Sequence, residues 1–356
     1  MITYRFGGFQ FEKQWFNILL VGTFALSAIA RFSNWNATFQ FILYCIAIIF
    51  VAGFLGRATE SVAYYSGERI GGFLNATFGN ASELIIAFFL VKEGLFDMVK
   101  ASLTGSIIGN LLFVFGLSAL FGGMKYKEQT FNIKVASHNT SLMTLAVIAL
   151  FVPAIFARGL TIKETTTVSL AVAIVLIIAY ILWLYFSMGT HKKLLMDQVV
   201  EQGDPMWSKG LSIFFLILST VMVAILSEWL VGTVEAFTAQ FALSELFVGA
   251  FLIAIIGNAA EHASGYTCGE KQNRSLRRNC CWQFLQIAMF VGPVLVLASY
   301  FMGNTMDIVF STYELVAILV AVLITKSNLQ DGTSDWYEGF LHLAVYVILG
   351  IVFFLV

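Results

Sequence analysis

The feature that most constrains this chain is its succession of apolar runs about twenty residues long, separated only by short polar or glycine-rich stretches. A helix crosses a bilayer's hydrocarbon core with about 20 apolar residues. No water is present there to satisfy an open backbone, so only helices and closed barrels span. Barrel strands are runs of about ten residues of alternating polarity, and these runs do not alternate. Cutting at charged and Gly-rich breaks predicts helices over 15–30, 38–63, 70–91, 101–121, 136–157, 165–187, 211–232, 243–264, 284–302, 309–325 and 336–356. The expectation is an all-α polytopic membrane protein with about 11 transmembrane helices. Composition agrees: 59% of residues are hydrophobic and 12% charged, against about 45–50% and 25% in soluble domains. An ordinary soluble enzyme, a disordered chain and a nucleic-acid binder are excluded. The net charge of −1 marks no polyanionic partner.

The N-terminal stretch MITYRFGGFQFEKQW lacks a long apolar core with a small-residue cleavage site, so it reads as leading into a retained first helix. If the spans are right, Lys and Arg divide fifteen against five between the two sides. The positive-inside rule then puts the N-terminus in the cytoplasm and the C-terminus on the opposite side. The one long polar linker is THKKLLMDQVVEQGDPMWSKG, at 190–210. Its Asp197, Glu201 and Asp204 are readable as an acidic patch or as a plain solvated run. The four cysteines form no disulfide framework, since Cys268, Cys280 and Cys281 crowd one segment away from Cys45.

Two segments resemble each other across the linker. At an offset of 178, Gly71, Phe73, Leu74, Ala76, Gly79, Asn80, Ala81 and Glu83 match Gly249, Phe251, Leu252, Ala254, Gly257, Asn258, Ala259 and Glu261. The chain parses as one extra N-terminal helix (1–37), a first five-helix repeat (38–189), the linker (190–210) and a second five-helix repeat (211–356). An odd number of helices per half puts the halves in opposite orientations. That is an inverted repeat, in which transporters place a binding site near the bilayer midplane.

The chemistry sits in the repeat. Asn80 and Glu83 are three apart and share a helix face, as do Asn258 and Glu261. A carboxylate at a span's centre costs about 2.5–3.5 kcal/mol on insertion scales, so two at equivalent points imply a use. Two carboxylates and two amide oxygens offer the all-oxygen ligation that a hard cation such as calcium takes. Burial disfavours a charged carboxylate, so the same groups accept protons when the cation leaves. Gly79 and Gly257 allow a helix break or a close helix approach. Ser106 and Asn110 share one face of the fourth helix, with Gly105 and Gly109 on another; Gln286 stands on the ninth. His262 adjoins Glu261, readable as a proton relay or as an interhelical hydrogen bond. Glu60 reads as interfacial. His138, His191 and His342 have no metal-ligand spacing.

The segments GGFLNATFGNASELIIA and VGAFLIAIIGNAAEHAS resemble the two signature repeats of the calcium/proton exchanger (CAX) family, within the calcium/cation antiporter superfamily. The similarity extends to the ATE segment before the first repeat, to GSIIGNLLFVFG after it and to the acidic linker. It implies eleven helices and proton-driven export of calcium. The short N-terminus suits a bacterial plasma membrane, so a cell-membrane location is expected, and no cofactor is expected. Glu83 and Glu261 would bind calcium and protons alternately, and Asn80 and Asn258 would assist. Whether copies associate is left open. Exchange against sodium or potassium, and a cation channel, are the alternatives. An intramembrane enzyme lacks a motif, with no HExxH and no GxSxG.

One stretch departs from the family pattern. Residues 265–284 read GYTCGEKQNRSLRRNCCWQF, where the family continues with an apolar helix end, a short loop and G-S-S-L-Q-I-A. Codons can be chosen so that the same nucleotides, read one base later, encode AIHAVKNKIDLSVEIAVGSS. The segment therefore reads as frame-shifted between two compensating slips; a divergent cytoplasmic loop is the alternative. As it stands, Trp282 and Phe284 occupy places that small residues fill beside the site, and weakened or lost transport is expected.

Overall fold

The computed structural model describes residues 12–130, 133–191, 205–259, 262 and 283–356. The chain is built almost wholly of helices. Helix α1 covers Glu12–Phe32, α2 Ala37–Phe78, α3 Ala81–Lys92 and α4 Phe96–Tyr126. Helix α5 covers Ile133–Phe156, α6 Ile162–Tyr185, α7 Lys209–Phe241 and α8 Glu245–Gly257. Helix α9 covers Gln283–Phe301, α10 Thr312–Asn328 and α11 Trp336–Leu355. Among the described residues, 8 helices are long and apolar enough to cross a membrane. Large apolar side chains stand exposed along them, among them Ile18, Ile148, Ile178, Ile217 and Ile348. In water such surface would be costly; against lipid tails it is the matching surface.

The predicted second and third helices are not separated by a loop. They join as α2 through a kink at Gly67 (φ 75°, ψ 169°). An L side chain rarely adopts that backbone, and glycine does so without strain. The break falls later, at Gly79–Asn80, inside what the apolar pattern reads as one helix. Helix α7 runs well beyond the predicted 232, to Phe241.

Helices α2 and α7 pack antiparallel along their lengths. At one end Thr38 hydrogen-bonds Gln240 and Phe41 stacks on Phe237 at 4.1 Å. Toward the other end the Ser61 and Ser212 hydroxyls meet at 2.8 Å, and the Tyr65 hydroxyl donates to the Trp207 carbonyl at 2.9 Å. Small residues set the closest crossings. A Cβ on Gly105 of α4 would strike the Ala250 carbonyl of α8, and one on Gly249 would sit 2.6 Å from the Ala101 Cβ. A Cβ on Gly339 of α11 would likewise run into the Leu120 backbone of α4. Backbones at this range gain dispersion contact that longer side chains would forbid.

A short antiparallel pair, β1 (Glu128–Thr130) with β2 (Thr333–Asp335), ties the end of α4 to the start of α11, with Gln129 opposite Ser334. At the other end, Lys100 of α4 is buried. Its ammonium lies 3.1 Å from Asp97 and 3.4 Å from Asp307 and donates to the Val309 carbonyl at 3.1 Å. This anchors the extended link between α9 and α10, whose Met306, Ile308 and Phe310 are buried.

Candidate functional site

Two asparagines interrupt helices in the middle of the apolar core. Asn80 precedes α3 with φ −102° and ψ 22°; Asn258 ends α8 with φ −96° and ψ 17°. The two share nearly one backbone conformation, at the repeat offset. Both are almost completely buried, at 2% and 1% exposure. A buried amide in an apolar interior must find partners, and each finds them on a helix of the other half.

The Asn80 Nδ2 donates to the Gln286 Oε1 on α9. The Asn258 Nδ2 donates to the Ser106 Oγ on α4 at 2.8 Å and to its own helix at the Ala254 carbonyl, also 2.8 Å. The Asn258 Oδ1 accepts from the Asn110 Nδ2 at 3.1 Å. Ser106, Asn110 and Gln286 are themselves buried. Helices α4 and α9 each contain a π-helical turn beside these residues, over Gly109–Val114 and Ile287–Val291. Their first residues are again 178 apart. Such turns re-aim side chains and recur at functional sites.

Glu83 is buried in the first turn of α3. The positive end of the helix dipole attracts a carboxylate placed there. Gly257 of α8 packs directly on it: a Cβ at Gly257 would lie 3.0 Å from the Glu83 Cγ. The missing Cβ at Gly257 is what lets α8 come this near to Glu83. Gly79 does not supply an unusual backbone, since its φ of −57° and ψ of −40° are helical. A Cβ there would instead press on the Asn75 carbonyl.

The predicted set Asn80, Glu83, Gly257, Asn258, Ser106, Asn110 and Gln286 is therefore brought to one buried locus. Its geometry differs from the sequence reading in one respect. Asn80 and Glu83 do not sit on a common helix face, because Asn80 lies outside α3, whose first turn carries Glu83. His262 packs edge-on against Phe113 of α4 at 5.1 Å, and a Cβ on Gly109 would stand 3.6 Å from its Nε2. That nitrogen has no hydrogen-bond partner among the described residues. Glu60 is exposed on α2. Glu261, the acidic residues Asp197, Glu201 and Asp204, and the segment 265–282 lie outside the described residues. Phe284 is described and completely buried. At the repeat offset it stands where the first half has Ser106, so Asn80 has no hydroxyl counterpart there.

Sequence reasoning passed over Tyr180 of α6, 3% exposed and stacked on Phe290 of α9 at 5.4 Å. Among the aromatics of AYILWLY nothing in the pattern distinguishes it.

A helical membrane protein with a buried, oxygen-rich site between interrupted helices belongs to the ion-transporter class of architecture. The sodium/calcium exchanger protein family matches residues 36–189 and 211–355, and the chain belongs to that family. It is 45% identical over 346 residues to the Ca(2+)/H(+) antiporter ChaA of Bacillus subtilis, covering 96% of this chain and 99% of that protein. It is also 45% identical over 350 residues to a Ca(2+)/H(+) antiporter of Synechocystis, covering 92% and 94% of the two. The solved structure of native YfkE superposes with a TM-score of 0.85 at 42% identity, over 96% of this chain and 100% of that one. The H+/Ca2+ exchanger CAX shares the fold, with a TM-score of 0.71 at 13% identity over 97% and 93%.

Proposed function

We propose that this chain is a secondary antiporter that exports calcium in exchange for protons across the cell membrane. Relatives at 45% identity over nearly their whole length are calcium/proton antiporters by name. The observation that carries the reading is the pair of interrupted helices meeting at one buried locus, with Glu83 against Gly257 and each asparagine hydrogen-bonded to the opposite half. Glu83 and Glu261 hold the cation, and the Asn80 and Asn258 amides position or complete the ligand set. Ser106, Asn110 and Gln286 support those amides, and His262 lies alongside. A cation needs the carboxylates charged, and burial without the cation favours protonating them. Occupancy by one therefore excludes the other, and the two fluxes are coupled.

The architecture we assign is eleven transmembrane helices, an extra N-terminal helix followed by two inverted five-helix repeats. The antiparallel packing of α2 on α7, the matched backbone of Asn80 and Asn258 and the matched π-turns all support it. The N-terminus faces the cytoplasm. The test is calcium uptake by everted vesicles under an imposed pH gradient. Uptake is expected to follow the pH gradient and to vanish in Glu83→Gln and in Glu261→Gln, with both variants still folded. Retained exchange in either variant refutes the shared-carboxylate mechanism. Calcium movement driven by a sodium gradient alone overturns the proton assignment.

A further inference from the structure

An amide has two unlike ends. Its oxygen can ligate a cation; its NH2 group only donates, and repels one. Asn80 is useful to calcium only when its Oδ1 faces the site. Its Nδ2 donates to the Gln286 Oε1, which turns the oxygen the other way. That Oδ1 is buried and has no hydrogen-bond partner among the described residues. The arrangement depends on Gln286. With its amide turned over, Gln286 would present NH2 to Asn80, and Asn80 would have to turn its oxygen back toward Gln286.

Gln286 is itself 2% exposed, so bulk water does not fix its orientation. Four residues further on α9, within its π-helical turn, Phe290 carries the ring of Tyr180 stacked at 5.4 Å and 29°. The Tyr180 hydroxyl is buried beside the Gln286 side chain and has no hydrogen-bond partner among the described residues, so it is an orphan acceptor next to the amide whose orientation is at stake. Asn258 has no such dependence, because Ser106, Ala254 and Asn110 already fix both of its ends.

We propose that Tyr180 is a positioning residue for the cation site. Its oxygen accepts from the Gln286 NH2 group, which holds the Gln286 oxygen toward Asn80 and so holds the Asn80 oxygen toward the cation. Tyr180 touches no cation; a helix outside the repeat motifs sets ligand orientation through two amides. This rests on the antiport reading above.

The experiment compares Tyr180→Phe, Gln286→Met and the double variant in everted vesicles, reading the apparent KM for calcium and Vmax. Calcium Kd is read by titration on purified protein that is monodisperse. Removing one buried hydrogen bond is worth about 1 kcal/mol, so Tyr180→Phe is expected to raise KM and Kd about fivefold, with Vmax within about twofold. In the Gln286→Met background the same substitution is expected to change neither constant further. An equal shift in both backgrounds overturns the proposal, since the hydroxyl would then act by packing alone. So does an unshifted KM in Tyr180→Phe while wild type transports, an outcome that leaves the antiport reading standing. Wild-type vesicles that move no calcium refute both.

Discussion

Gly257→Ala adds one methyl group at the point where the two halves press on the carboxylate. The new Cβ would lie 3.0 Å from the Glu83 Cγ, but 3.7 Å from its Cα and 3.8 Å from its Cβ. Carbon atoms settle near 3.5–4.0 Å apart. The backbone of α3 therefore has room, and the Cγ must move by about half an ångström or more. That displacement passes to the carboxylate. Calcium–oxygen distances fall within about 2.3–2.6 Å, so a shift of this size exceeds the whole window. Overpacking costs about 1–3 kcal/mol. If about 1–2 kcal/mol appears as weakened cation binding, KM rises roughly 5- to 30-fold. The assay is the calcium dependence of uptake in everted vesicles, with the melting midpoint of the purified protein beside it. Gly232→Ala on α7 is the control, since a Cβ there meets nothing within 4 Å. Gly105→Ala marks the contrasting case. Its Cβ would strike the Ala250 backbone, which cannot rotate aside, so loss of folded protein is expected. A Gly257→Ala protein with wild-type KM at normal expression would refute the placement of Glu83 in the cation site.

Two further outcomes follow from the same geometry. Ser106→Ala removes the hydroxyl that the Asn258 Nδ2 reaches at 2.8 Å and leaves the Ala254 carbonyl as that group's partner. A three- to tenfold rise in calcium KM is expected for about 1 kcal/mol of lost hydrogen bonding, with the protein still monodisperse on gel filtration. Replacing residues 265–284 by AIHAVKNKIDLSVEIAVGSS is expected to raise the transport rate measured in the same vesicles. The replacement removes the fully buried Phe284 and puts serine at that position, opposite Ser106 in the repeat register. Equal rates from the two chains, together with an in-frame gene read of the original residues, would establish the original stretch as a tolerated loop.

Much of the fold is legible in the sequence because membrane-length apolar runs leave helices as the outcome. The joints are not. Between the predicted second and third helices stands YYSGER, at 64–69, a stretch that reads as a loop. There the backbone stays helical except at Gly67, where one positive φ suffices to redirect it. The break at Asn80 is hidden for the opposite reason. It takes one residue out of helical geometry, and the spacing from Asn80 to Glu83 still fits a continuous helix. The π-turns of α4 and α9 insert a single residue into runs that are mostly apolar around Asn110 and Gln286, so no periodicity registers them. The β1–β2 pair consists of three polar residues on each strand, too short to alternate visibly.

The candidate site was legible to the extent that polar residues in apolar spans are conspicuous. Asn80, Glu83, Asn110, Asn258 and Gln286 each stand out against their neighbours. What no single segment encodes is their pairing. Asn80 reaches across to Gln286, and Asn258 to Ser106 and Asn110, so each interrupted helix is held by the half that does not contain it. Those bonds carry a mechanical consequence. A rigid-body movement of one half against the other cannot leave both asparagines as they are, because their partners lie on the moving side. Alternating access by such a movement would require the amides to exchange partners.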